Sequence, residues 1–221
     1  MGPTGDASTR SYHHGDLRPA LLRAGYELAR EGGPAAVTLR AATRRAGVTA
    51  TAAYRHFASH DDLLRAVGAR ALGDLARSME EYQARVVATD PAERAHERLV
   101  AVGDGYLALA LDEPGVFGTA MFGLRTLADA RDPDSAGGSG RTPFELLTDA
   151  IADLTTHGRI DAGRTQEIAV TCWSTVHGFA DLATRGPFRT LPRADRDAIG
   201  RRLVRDLVDG LPVPSGGGGP S

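Results

Sequence analysis

The chain has 221 residues, 42% of them hydrophobic and 24% charged, with a formal net charge of −2. That composition belongs to a globular protein with a core, and the length allows one or two domains. There is no apolar run of about 18 residues and no apolar N-terminal leader, which argues against membrane spanning and export.

Cys172 is the one cysteine. No intrachain disulfide can form, which fits a reducing cytosol and a cytoplasmic location. All 26 basic residues are arginine. Together with the heavy use of Ala and Gly this reflects a GC-rich coding bias, so arginine counts carry little functional weight. The charge is uneven along the chain. Residues 1–60 hold eight arginines against four acids, and the remaining 161 hold 18 against 24. A basic head on an acidic body is what a nucleic-acid-binding module joined to a separate body would show, although so small a surplus decides nothing alone.

In chain order, Met1 to Tyr12 is small and polar and predicts a mobile arm. Arg10, Tyr12, His13 and His14 could lean on a DNA backbone, but fraying is the stronger reading. A helix is expected from Asp16 to about Arg30, where Leu17, Leu21, Ala24 and Leu28 repeat on one face. Glu31-Gly32-Gly33-Pro34 stops it.

The stretch from Val37 to His60 reads helix, tight turn, helix. Thr38 can cap the first helix, with Leu39, Ala42 and Ala46 on its apolar stripe. Gly47 takes the turn, where a left-handed conformation is cheap only without a Cβ. Thr49 can cap a second short helix, Ala50 to His56 or Phe57, with Ala53 and Phe57 inward. Thr51, Ala52, Tyr54, Arg55 and His56 then point outward. A short helix that is small at its N-terminus and aromatic and basic at its C-terminus suits the DNA major groove. Ser59-His60-Asp61-Asp62 is a capping pattern that opens a third helix.

This run, TLRAATRRAGVTATAAYRHF followed by a capped helix beginning DDLL, resembles the TetR family of bacterial repressors. The resemblance implies an all-helical fold. An N-terminal three-helix DNA-binding domain would occupy residues 1–58, a helical ligand-binding and dimerisation domain 59–210, and a disordered tail 211–221. It also implies a homodimer on a palindromic operator, released by a small, largely apolar effector. Thr38 and Arg40 would meet phosphates, with Thr49 at the start of the recognition helix. Ala50, Thr51 and Ala52 would face bases, and Tyr54 and His56 would grip phosphate. His60 stands where many relatives have lysine, and a histidine is mostly neutral near neutral pH. The small base-facing residues make few bidentate bonds, so readout would lean on Arg45, Arg55 or DNA shape.

Beyond the head, a long helix is expected from about His60 to Val87, then one from about Ala92 to Leu111. Val116 to Phe122 and Leu124 to Ala130 read as two short helices broken near Gly123. Arg131 to Arg141 is Asp, Pro, Ser and Gly with almost nothing apolar, and predicts a mobile loop. Thr142, Pro143 and Glu145 form a capping box for a helix running to about Thr156. Two further helices, Gln166 to about Arg185 and Ala194 to Gly210, close the chain. No strand pattern competes.

Trp173, His177 and Gly178 are similar to the Trp-x-x-x-His-Gly signature of one TetR C-terminal class. Gly178 costs about 1 kcal/mol in mid-helix, which a close helix–helix contact would explain. The resemblance pairs the last two long helices with their two-fold mates, and Ile199, Leu203, Val204, Leu207 and Leu211 supply the stripe. Phe117, Met121, Phe122, Phe144, Leu147, Ile151, Cys172, Trp173 and His177 are candidates for lining a ligand cavity, against the alternative that they simply fill the core. His56 and His60 are four apart, but a new helix starts between them, so no metal site is expected. No nucleophile elbow, phosphate loop, zinc-protease or dinucleotide motif occurs, so neither an enzyme nor a cofactor is expected. The main rival reading is a helical dimeric ligand-binding module that keeps the fold without binding an operator.

Overall fold

The structure, a computed structural model, describes residues 17–124, 126 and 129–212. The expected N-terminal arm and most of the expected tail lie outside the described residues. Among the described residues all regular structure is helical.

The first helix, α1 (Leu17–Gly32), buries Leu17, Leu21, Ala24 and Leu28, the face its spacing predicts. The second, α2 (Leu39–Ala46), opens where the Thr38 hydroxyl accepts the Ala41 N–H at 3.1 Å. It closes at Gly47, whose φ of 68° only glycine adopts without cost. Thr49 caps α3 (Ala50–Tyr54) by accepting the Ala52 N–H at 3.3 Å. This helix is shorter than expected, but the N–H groups of His56 and Phe57 still bond the Ala53 carbonyl, which carries Phe57 into the head core.

Ser59 caps α4 (His60–Gln83). Leu63, Leu64 and Val67 at its start complete the core under α1 to α3. Ala71, Leu72, Leu75, Ala76 and Met79 further along belong to the core of the body. The helix ends at Gln83 rather than Val87. The β-branched Val86, Val87 and Thr89 are poor helix formers, and Val87, 89% exposed, has no packing to offset that.

In the body, α5 (Pro91–Asp112) packs on α4, α7, α8 and α9. A Cβ on Gly105 would sit 2.6 Å from Met79 Cα, so α4 and α5 nearly touch backbones there. Next, α6 (Pro114–Gly123) returns to the head, where a Cβ on Gly115 would lie 2.3 Å from the Ala29 carbonyl oxygen. The expected second short helix, Leu124 to Ala130, falls partly outside the described residues, and only a 3-10 turn at Asp129–Arg131 is described there. The remaining helices are α7 (Pro143–Thr156), opened by the expected Thr142–Glu145 capping box, α8 (Thr165–Thr184) and α9 (Arg193–Asp209).

The expectation of a mobile 131–141 loop is overturned. It forms a strap along α4, with Ser135 buried and one carboxylate as its clasp. Glu80 accepts the N–H groups of Gly138 and Ser139 at 2.8 and 2.9 Å and the Ser139 hydroxyl at 2.5 Å. Gly137 presses so close that a Cβ would meet Glu80 Oε1 at 2.7 Å and Ala76 at 2.9 Å. Loop composition signals irregular backbone, and here that backbone finds its hydrogen-bond acceptor on a helix.

Burial opposes ionisation of Glu80, but the bonds from Ser139 and Gly138 outweigh it and hold the carboxyl below its ordinary 4.5. A depressed carboxylate contributes stability above its unfolded-state pKa and loses it as pH falls through the folded value. The Gly138 and Ser139 amides should therefore lose hydrogen-exchange protection as pH drops below about 4.5. Glu80→Gln should expose them at neutral pH, with a stability loss of about 1–3 kcal/mol.

Candidate functional site

Two regions of the fold gather the candidate residues. On the head, α2 and α3 present one exposed face. Thr38 and Thr49 each accept a backbone N–H at a helix start, which leaves each hydroxyl proton free to donate outward. Arg40, Ala50, Thr51, Tyr54, Arg55 and His60 are exposed, Tyr54 by 58%, while Ala52 and His56 are half-buried. Arg40, Arg44 and Arg55 have no ion pair among the described residues. Arg45 is engaged within the head: its guanidinium donates to Glu31 at 2.7 Å and lies 3.9 Å from Glu27, an exposed ion pair with α1. Arg44, which the sequence reading passed over, is the free cation of the pair.

In the body a cavity of about 50 Å³ lies between α4, α5, α7, α8 and α9. Met121, Phe144, Leu147, Cys172 and Trp173 line it as expected, joined by Leu72, Leu75 and Met79 of α4 and by Tyr106. Phe144 and Trp173 pack with ring centroids 5.5 Å apart. Four expected residues do not line it. Phe122 is 53% exposed, beside Asp61, Leu64 and Arg65 near the start of α4. Phe117 and Ile151 are fully buried core. Phe117 stacks edge-on against Tyr106 at 5.5 Å and lies 5.9 Å from the His177 ring. His177 stands behind the wall, its Nδ1 paired with the Tyr106 hydroxyl at 3.0 Å.

The polar groups of this wall are held neutral. Burial lowers His177 below its ordinary 6.5, Asp181 pulling the other way, and burial raises the Tyr106 phenol, with the Trp173 indole opposing. Burial also pushes the Cys172 thiol up to about 11, so it stays a thiol.

The outward faces of α8 and α9 carry exposed apolar side chains among their charged ones. Val170 is 56%, Leu182 41% and Ile199 43% exposed. Gly178 is exposed, with nothing within 4 Å of a Cβ built on it. Leu203 and Leu207 line a shallow groove with Ile199 and Thr175. Val204 departs from the expected stripe: it is 1% exposed and turned inward onto Gly103 of α5.

Residues 21–67 match the family described as bacterial regulatory proteins, tetR family, and residues 99–207 match the tetracyclin repressor-like C-terminal domain. The chain belongs to the TetR family of transcription regulators. No curated relative matches the sequence. Among similar solved structures is a protein of unknown function from Rhodococcus sp. RHA1, at 24% identity, covering 91% of this chain and 98% of that one, with a TM-score of 0.70. The transcriptional regulator FadR from Bacillus subtilis, solved in complex with stearoyl-CoA, is 18% identical. It covers 88% and 99% of the two chains, with a TM-score of 0.64. A putative tetR family regulator from Shewanella sp. PV-4 is 17% identical over 86% and 96%, with a TM-score of 0.55.

Within this TetR fold the sequence reading missed Tyr106. The missing signal was long-range, a tyrosine and a histidine 71 residues apart that meet only once α5 and α8 pack. Tyr106→Phe leaves the buried Nδ1 unpaired and should cost about 1–3 kcal/mol. A depressed histidine contributes stability above its unfolded-state pKa and loses it as pH falls through the folded value. Stability should thus decline below pH 6.5, the ordinary histidine value, and His177→Gln should flatten that decline in denaturant titrations.

Proposed function

We propose that the chain is a dimeric transcriptional repressor that binds a palindromic operator and is released by a small, largely apolar effector. Residues 1–58 are the DNA-binding head and 59–210 the sensing and dimerisation body, acting in the cytoplasm. The observation that carries this reading is the position of α4. It closes the head core at one end and walls the cavity with Leu72, Leu75 and Met79 at the other.

On the DNA side, Thr38, Arg40, Thr49, Tyr54, His56 and His60 meet backbone phosphates. Ala50, Thr51 and Ala52 face bases, and Arg44 and Arg55 add charge. In the body, Met121, Phe144, Leu147, Cys172 and Trp173 contact the effector, while His177 supports Tyr106. The Trp173–His177–Gly178 signature fits this division, with Trp173 in the wall, His177 behind it and Gly178 turned outward. An occupant that wedges the wall displaces α4 and changes the spacing of the two recognition helices. Operator half-sites about one DNA turn apart tolerate little of that. An effector that prefers the released state ~100-fold shifts the equilibrium by about 2.7 kcal/mol.

The test is electrophoretic mobility with DNA from upstream of the chain's own gene. A shift of that DNA at concentrations that leave random duplex free supports an operator-binding regulator. Equal or absent binding would leave a ligand-binding module without an operator.

Tyr54→Phe should weaken specific and random duplex alike, by roughly threefold to tenfold per half-site. Arg55→Gln should lower the salt slope of binding by about one per half-site. Unchanged affinities in both titrations would remove these residues from the interface.

Dimerisation is assigned to the outward faces of α8 and α9, where Val170, Gly178, Leu182, Ile199, Leu203 and Leu207 form an apolar surface. Leu203→Arg places an unpaired charge there and should yield monomer by light scattering. A wild-type dimer would rule this surface out.

A further inference from the structure

Among the described residues, the wall of the body cavity carries no ionisable side chain apart from the Tyr106 phenol and the Cys172 thiol, and burial keeps both protonated. Its polar atoms are few and already engaged. The Tyr106 hydroxyl is bonded to His177 Nδ1 at 3.0 Å, and His177 is itself held neutral by burial. Every other side chain named so far in the wall is hydrocarbon, aromatic or thioether. A carboxylate, phosphate or ammonium moved into such a space gives up its water and meets no counter-charge, which is the costliest transfer a binding site can impose.

The cavity volume of about 50 Å³ exceeds the roughly 10–15 Å³ that one water needs, yet a water there would lack its two to four polar partners. It is smaller than the roughly 150 Å³ that takes benzene. A ligand of more than a few carbons must therefore press the wall outward. Met79 and Met121 give way most easily, being unbranched and rotatable. Leu124, Ala130, Pro143 and Phe144, on either side of the 131–141 strap, complete that part of the wall.

We propose that this site selects an uncharged, hydrocarbon-like effector and rejects the anionic form of the same skeleton. This rests on the reading of the cavity as the effector site and names the chemistry it accepts. Tyr106, bonded to His177 behind the wall, is a neutral liner whose oxygen can still accept from a terminal hydroxyl, whereas a charge finds no partner there. Among the described residues one cation touches the wall: Arg131 lies over the Phe144 ring, 5.2 Å from its centroid. It is exposed and is not itself among the lining residues. An anionic amphiphile that left its head at Arg131 and its tail inside is the competing outcome.

Trp173 is the only tryptophan and Cys172 the only cysteine, and both line the cavity, so the native chain carries two reporters at the site. The full-length protein is titrated with 1-octanol and with octanoate at pH 8, reading Trp173 fluorescence and the rate at which a maleimide labels Cys172. Octanol should perturb the fluorescence and slow labelling at least about tenfold. Octanoate should bind at least about 100-fold more weakly at pH 8. Its apparent affinity should rise about tenfold per pH unit as the neutral acid becomes populated toward its own pKa of about 4–5. Octanoate binding as tightly as octanol at pH 8, and losing that affinity in Arg131→Gln, would overturn the proposal in favour of an anionic amphiphile. No response to either compound would overturn it as well. Operator mobility shifts on the same sample report separately on the DNA-binding reading, so the two can fail independently.

Discussion

The structure depends on one helix being buried at both ends by different partners. Leu63, Leu64 and Val67 at the start of α4 are indispensable to the head, because α1 to α3 cannot close around Leu21 and Phe57 without them. Leu72, Leu75 and Met79 are equally needed by the body. Each fully buried side chain of this kind stabilises by roughly 1.5–3 kcal/mol. Neither end can let go cheaply, so the helix transmits a displacement rather than absorbing it.

Glycines set how stiffly that helix is held. A Cβ on Gly25 of α1 would reach Val67 at 2.8 Å, and one on Gly68 would reach the Thr119 carbonyl oxygen of α6 at 3.1 Å. At Gly115 the approach to the backbone of α1 is closer still. The start of α4 is thus clamped between α1 and α6 at near-backbone contact. Its far end is bordered by the cavity and the strap. Toward its other end α4 meets α5 just as closely, Met79 against Gly105, so it is gripped along its length and faces the cavity through Leu72, Leu75 and Met79.

What the sequence revealed and what it hid divide by range. Thr38, Thr49, Ser59 and Thr142 announce their helices because a cap acts within three residues, and Gly47 announces its turn through a single φ. The facing of α6 was hidden. Val116, Phe117, Ala120, Met121 and Phe122 make that helix apolar on every side, so periodicity could not say that Phe117 turns inward while Phe122 turns out. Arg45 was hidden for a related reason: its partners Glu27 and Glu31 lie on another helix and become neighbours only after packing. The family resemblance located the helix-turn-helix but could not decide which of two adjacent arginines pairs with another helix of the head.

The strap along α4 bears on how this protein tolerates change. A surface segment rich in Asp, Pro, Ser and Gly ordinarily looks like the place to add residues, attach a tag or open new termini. Here the two amides that Glu80 receives are adjacent, Gly138 and Ser139, and the glycine before them has no room for a side chain. Lengthening the segment by even one residue would slide that pair out of register with a single fixed carboxylate. The turn at Gly158, where φ is +64° and nothing lies within 4 Å of a built Cβ, is the more forgiving site for an engineered insertion.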